Sequence, residues 1–545
     1  MDAVAVEPLL PVLAAVAALL LLARLRQRTR PCTNHCPYPN PVLGNVVALI
    51  RNFHRFLDWA TDLLAAAPSS TIEVRGPLGL GNGVATADPR AVDHLLRANF
   101  PNYVKGARFA VPFADLLGRG LFLADGRLWS LQRKLASHSF TSRSLRRFSG
   151  RVLEAHLRRR LLPLLDAAAD AGEPVDLQDV LRRFTFDNIC SVAFGVETSS
   201  TLLPLEDGDD RRRHEAFFGA FDDAVEISFA RMFHPTTAVW KAMRLAGVGS
   251  ERRLREAIGV IDDYVMAMVE SEERQRVRGD EDGGGEQHLL SRFAAAMEEE
   301  NDGGELGAMF ESSPEAKRRF LRDVVVSFVL AGKDSTSSAL TWFFWLLAAN
   351  PRCERRVYEE AAASGSPRHG DGEDDHGGGE GYDEVKGMQY LHAAITEAMR
   401  LYPPVPINTR VAAEGDVLPD GTAVRAGWFT DYSAYAMGRM PRLWGADCRE
   451  FRPERWLAGG GGEFVAADAA RYPVFHAGPR ACLGREMAYV QMKAVAAAVI
   501  RRFKVEPLRA ASMEAPPPYE MTATLKMKGG LPVRIRRREG DARAG

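Results

Sequence analysis

One segment limits the folds open to this chain more than any other. Ser313-Pro314-Glu315 has the make-up of a helix start, with a hydroxyl N-cap, proline in the first turn and an early acid. Pro351 stops that helix. The roughly 36 residues between them span about 54 Å at 1.5 Å per residue. Val324 to Leu330 and Leu340 to Leu347 are almost wholly apolar. A helix apolar on all sides must cross the core of a large globule rather than lie on its surface. Its middle breaks the pattern. Ala331-Gly332-Lys333-Asp334-Ser335-Thr336 sets two charges and two hydroxyls where apolar residues would pack better. Gly332 alone costs about 1 kcal/mol against alanine. Such a stretch predicts a widened groove, with Asp334 and the hydroxyl of Ser335 or Thr336 relaying protons.

A second segment carries chemistry of its own. Phe475-His476-Ala477-Gly478-Pro479-Arg480-Ala481-Cys482-Leu483-Gly484 reads as a loop that delivers one cysteine to a metal. Met487, Val490, Gln491 and Val495 then fall on one face of a helix predicted over 485–500. A sulfur near a helix N-terminus is favoured as thiolate by the dipole and the free amides. Gly478 supplies a turn that a Cβ would hinder. Gly484 lets the chain pass close to a flat ligand, and Arg480 can pair with an acidic group at that ligand's edge.

The spacing Phe-x-x-Gly-x-Arg-x-Cys-x-Gly resembles the haem-binding signature of the cytochrome P450 monooxygenases, and the match is complete. Four further stretches match in family order: 124–140, 326–351, 390–406 and 451–457. The resemblance implies a mainly α fold with a small β-rich lobe, holding haem b between the long helix and the cysteine loop. Cys482 is then the axial ligand, a thiolate whose electron push favours O–O cleavage. The long helix carries the family's Ala-Gly-x-Asp/Glu-Thr-Thr/Ser pattern with Ser335 where threonine is usual. It implies that O₂ is admitted there and that Asp334, Ser335 and Thr336 are catalytic. Trp129 and Arg133, at i and i+4 on one helix face, and Arg410 are implied haem-propionate contacts. Glu397 and Arg400 of Glu-x-x-Arg, with Arg455 of Pro-Glu-Arg-Trp, are implied to form a buried network. One acid is there paired with two guanidiniums.

The wording Asp125-Gly126, Trp129, Gln132-Arg133-Lys134 and Ala-Gly-Lys-Asp-Ser-Thr-Ser looks like the plant fatty-acid ω-hydroxylase branch, families 86 and 94, the latter closer. The resemblance then implies oxidation of a fatty acid at or near its methyl end, or of jasmonoyl-isoleucine. Residues 105–125 mix apolar side chains with glycine and proline and do not read as a clean helix. The resemblance places this stretch over the distal side of the haem. Phe109, Val111, Phe328, Val405, Pro406 and Leu525 are candidate pocket residues. Lys105 and Arg108 are candidate carboxylate anchors. Two rivals are an O₂-independent haem isomerase and a haem-binding protein without turnover; the intact acid–alcohol pair weighs against both.

Composition adds limits. A net charge of −1 over 545 residues gives no footprint for nucleic acid. Six cysteines are too sparse for a disulfide scaffold. Val4 to Ala23 carries one charge, Glu7, and is followed by Arg24, Arg26, Arg28 and Arg30. Residues 1–30 therefore read as a single transmembrane anchor with its basic flank cytosolic. That predicts an endoplasmic reticulum membrane protein whose catalytic domain, 31–545, faces the cytosol. Seven cations between Arg119 and Arg147 face one acid, Asp125. They suit an acidic electron donor, implied to be NADPH–cytochrome P450 reductase.

Overall fold

The computed structural model describes residues 39–538 except 41, 80, 196–200, 203–208, 234–236, 278–287, 300–312 and 365–384. The anchor expected over residues 1–30 lies outside the described residues. Among those described, no helix is long and apolar enough to cross a membrane. The chain divides into two compact units. One comprises the chain through Arg108, Pro406–Cys448 and Asp468–Ala481; the other comprises Phe109–Val405, Arg449–Ala467 and Cys482 onward.

The first unit is built on a five-stranded sheet. Its strands are β1 (Thr71–Val74), β2 (Gly83–Thr86), β3 (Tyr103–Val104), β4 (Asn408–Ala412) and β5 (Phe429–Tyr432), in the order β1-β2-β5-β4-β3. Only the β2–β5 pair is parallel. The β4–β5 register sets Asn408 against Tyr432, Thr409 against Asp431, Arg410 against Thr430 and Val411 against Phe429. Side chains alternate faces along each strand. Arg410 and Tyr432 thus share one face, and Thr409, Val411, Phe429 and Asp431 the other. Leu64, Ile72, Val84, Leu95, Leu96 and Tyr432 lie in this unit's core.

The second unit is mainly helical. The helices that bear on function are α1 (Gly106–Leu117, whose first turn belongs to the sheet unit), α2 (Gly126–Thr141), α3 (Arg143–His156), α4 (Leu177–Phe194), α5 (Asp209–Ala230), α6 (Gly249–Val277), α7 (Pro314–Ala349), α8 (Gln389–Leu401) and α9 (Arg485–Arg502). A hairpin of β6 (Tyr519–Met521) and β7 (Leu525–Met527) completes the parts used below. α7 is the predicted long helix. Its N-cap Ser313 accepts from the Ala316 amide, and it ends at Ala349, two residues before Pro351.

α7 is helical without a break, and Gly332 packs closely against a neighbouring helix on one side. A Cβ there would lie 2.6 Å from Ile189 of α4. Thr185, one turn earlier in α4, donates to the Lys333 carbonyl at 2.8 Å. Glycine is what lets these two helices approach so closely. The stretch 105–125, expected not to be a clean helix, does form one over residues 106–117, helix α1. Phe109, Pro112, Phe113, Leu116 and Leu117 recur at i, i+3, i+4, i+7 and i+8 and face the core. Gly106 and Pro112 hid that period in the sequence.

Two buried histidines of this unit stay neutral at physiological pH. His156, against Ser191 and Arg160, is pushed down to about 4, by burial and then by the Arg160 charge. His392, between the rings of Phe464 and Tyr489, is also pushed down to about 4, again chiefly by burial. Unfolding raises both toward about 6.5. The unfolded chain therefore binds more protons between these values, and stability falls as pH drops from about 6.5 toward 4. Thermal midpoints measured across that window should decline steadily, and a His156→Gln, His392→Gln double variant should flatten the decline.

Candidate active site

The cysteine loop begins with a 3-10 turn, Pro473–Phe475, and His476 at φ 60°, ψ −174°. That backbone region is strained for any residue with a Cβ. The His476 Nδ1 lies 3.1 Å from the Tyr432 hydroxyl on β5. Gly478 has φ +66°, and a Cβ there would sit 1.9 Å from the Leu96 carbonyl oxygen. Its glycine is therefore required by the chain itself. Gly484 differs. Its φ is −87°, and a Cβ would meet nothing nearer than Cys482 Sγ and the Phe140 ring, both at 4.0 Å. The protein atoms leave room there, as a flat ligand seated beside the sulfur would need.

Cys482 is a free thiol with solvent-accessible surface just before α9. Burial raises its pKa and outweighs the Gly484 amide, Arg133 and Arg485, which pull it down. A coordinated metal ion deprotonates such a thiol outright. Arg133 of α2 lies close enough to Cys482 for their charges to interact; burial lowers its pKa, and the sulfur pulls it up. Trp129, one turn earlier, is half-buried. One soft donor, a glycine with space before it and an arginine beside the sulfur fit haem b. Within this unit Cys482 would hold it, with Arg133 and Trp129 nearby. In the sheet unit, Phe475 and Arg480 are half-buried. Arg410 is fully buried, on the Tyr432 face of β4.

The polar middle of α7 separates into two faces. In the middle of α7, Leu330, Ala331, Gly332 and Ser335 keep accessible surface, and Ser335 Oγ donates to the Ala331 carbonyl at 2.7 Å. Asp334 turns elsewhere. Lys333 Nζ lies 2.9 Å from its Oδ1 and also pairs with Asp222 of α5, which Arg182 of α4 reaches as well. Asp222 is held down at about 2; the Lys333 and Arg182 charges outweigh its burial. Thr336 is buried. This ionic cluster has no local signature, because Asp222 and Lys333 lie 111 residues apart.

Of the candidate pocket residues, Phe109 and Phe328 belong to one apolar cluster of the helical unit. Phe328 packs between the rings of Phe140 and Phe293 at 5.3 and 5.4 Å. Phe109 stacks on Phe113 at 5.0 Å, while Val111 is exposed on the outer face of α1. Val405 is half-buried and Pro406 buried. Leu525 is fully buried: its amide donates to the Pro404 carbonyl at 2.9 Å, and its carbonyl accepts from Ser338 and Trp342.

Glu397, Arg400 and Arg455 do come together. Arg400 grips Glu397 through two bonds of 2.7 and 2.8 Å, and Arg455 Nε reaches it at 3.4 Å. Trp456 Nε1 and the Arg452 amide also donate to this carboxylate, at 2.8 and 2.9 Å. Sequence reading missed both of these donors.

The chain matches the cytochrome P450 family over residues 35–531. It belongs to the cytochrome P450 family. It is 40% identical over 516 residues to cytochrome P450 94A2 of Vicia sativa, covering 94% of this chain and 93% of the relative. Cytochrome P450 94B3 of Arabidopsis thaliana is 42% identical over 512 residues, with 93% and 92% covered. Cytochrome P450 86B1 of Arabidopsis thaliana is 38% identical over 506 residues, with 91% and 84% covered. This cytochrome P450 is thus a haem-thiolate monooxygenase that uses O₂, a small-molecule substrate and electrons from a redox partner. The resemblance first read from the cysteine loop holds across the body of the chain.

In this cytochrome P450, Glu397→Ala would leave two guanidiniums facing a cavity, a loss of about 3–5 kcal/mol. The variant should be recovered largely without haem, measured as pigment per protein and as the carbon monoxide difference spectrum. Glu397→Gln, which keeps acceptor and shape, should lose less.

Proposed function

We propose that this monooxygenase hydroxylates an unactivated C–H of a fatty acid or fatty-acyl-like substrate, at or near the ω end. The observation that carries the reading is similarity of about 40% over more than nine-tenths of the chain to cytochromes P450 of family 94, together with one of family 86. The Asp125–Lys134 wording and the Ala331–Ser337 run support the same branch.

Bound haem b would supply oxygen activation and C–H oxidation, and the chain's residues do the rest. Cys482 holds the iron through sulfur, and Arg133 keeps positive charge beside that sulfur. Ser335 presents a hydroxyl on the accessible face of α7, where a proton can be handed inward. Asp334 is ionically tied to Lys333 on the other face of α7, which keeps the charges in the middle of this helix paired. Electrons come from NADPH through NADPH–cytochrome P450 reductase. Lys134, Arg143 and Arg147, all exposed on α2 and α3, form part of its docking face. Residues 1–30 anchor the enzyme in the endoplasmic reticulum membrane with its body cytosolic, where lipophilic substrates partition.

Microsomes carrying the protein and the reductase should convert fatty acids to ω- or subterminal hydroxy acids when NADPH is added. Mass spectrometry of a chain-length series, run beside jasmonoyl-isoleucine, checks this. Turnover of the conjugate alone would replace the fatty-acid reading with the second substrate that the resemblance implies. No NADPH-dependent product from either would sink both. Reversing the charges of Lys134, Arg143 and Arg147 should slow reduction of the haem iron by the reductase several-fold.

A further inference from the structure

The β4–β5 ladder carries an unusual group of polar side chains on the face away from Tyr432. Thr409 and Asp431 sit directly opposite each other, one rung from Val411 and Phe429. Same-face rungs are about 7 Å apart along a strand. The Thr409 hydroxyl is close enough to pull the Asp431 pKa down. Yet neither Thr409 Oγ1 nor Asp431 Oδ1, both buried, completes a hydrogen bond. Buried polar atoms left this way in native proteins call for a partner.

Helix α1 brings that partner's counter-charge. Gly106, at φ +64°, passes so close to β4 that a Cβ would lie 2.9 Å from Val411 Cβ. This approach lays Arg108 on the same face, its guanidinium carbon 4.0 Å from the centre of the Phe429 ring. Arg108 is exposed, and among the described residues no ion pair includes it. The ring fixes one side of the guanidinium and leaves its donor fork available, a geometry matched to a carboxylate.

We infer that Arg108, with Thr409 and Asp431 beside it, binds the carboxylate of the acyl substrate, while Val411 and Phe429 take up the first carbons of its chain. This rests on the fatty-acid reading above. Burial favours the neutral form of Asp431 against the pull of Arg108 and Thr409. A guanidinium and a hydroxyl, both donors, thus converge on a group that only accepts. The site distinguishes an acid from its ester or alcohol.

The test uses full-length, haem-loaded protein and reads binding rather than turnover. Dodecanoic acid, its methyl ester and 1-dodecanol are titrated while the spin-state change of the haem spectrum is followed. Wild type should bind the acid about tenfold or more tighter than the ester. Arg108→Met should erase that preference and leave ester affinity unchanged. Asp431→Asn, which keeps a neutral hydrogen-bonding group, should retain the preference. Normal carbon monoxide spectra show that the variants are folded, and Arg108→Gln reads the same comparison should Arg108→Met fail to fold. An unchanged acid affinity in the Arg108 variant, or an equal loss for acid and ester, overturns the anchor and leaves the fatty-acid reading standing. Wild type that binds neither acid nor ester overturns the fatty-acid reading, and the anchor with it.

Discussion

A 36-residue helix with apolar residues on every side can exist in water only if other elements cover it completely. α7 sets that demand, and much of the helical unit answers it. α4 lies against it closely enough to require Gly332. α8 stacks Tyr402 flat on Trp342 at 3.9 Å, and β7 accepts hydrogen bonds from Ser338 and Trp342. The polar middle of α7 is tolerable in this setting because its charges are paired inside the same unit, Lys333 with Asp222 and Asp334. A buried charge left alone would cost far more than the helix gains there.

Much of this was legible from sequence where the physics is local. Ser313, Pro314 and Pro351 bound α7 to within two residues of its observed ends, because caps and prolines act on the backbone next to them. Glu397 and Arg400 met because three residues along a helix is a contact distance. Gly478 was readable as a turn residue, and its positive φ bears that out. What sequence could not supply depends on distant chain. The Lys333–Asp222 pair, the two extra donors to Glu397 and the Ile189 side chain behind Gly332 are tertiary contacts with no local signature. Helix α1 is a different kind of miss. Its period was present, but Gly106 and Pro112 are ordinarily signs of a loop.

The site also separates two reasons for glycine within one motif. Gly478 is forced by its left-handed backbone and by the Leu96 carbonyl against it, so it belongs to folding. Gly484 is forced by neither and belongs to the ligand. A motif match treats the two alike. Their surroundings show that substituting the first would disturb the loop itself, whereas substituting the second would leave the loop intact and crowd what it holds.

The interleaving of the two units has a consequence for how the chain is made. The polypeptide passes from one unit to the other five times, after Arg108, Val405, Cys448, Ala467 and Ala481. Neither unit is a continuous stretch that can finish early on the ribosome. The sheet waits for β4 and β5, which follow β3 by some three hundred residues, and the last passage falls inside the cysteine loop itself. Folding of this kind is dominated by non-local closure, which is slow and leaves apolar helices uncovered meanwhile. α7 is synthesised well before α8, α9 and β7 exist to cover it. Nascent chains stalled between residues 350 and 480 would therefore leave the apolar runs Val324 to Leu330 and Leu340 to Leu347 partly uncovered, and that interval is where chaperone dependence should concentrate.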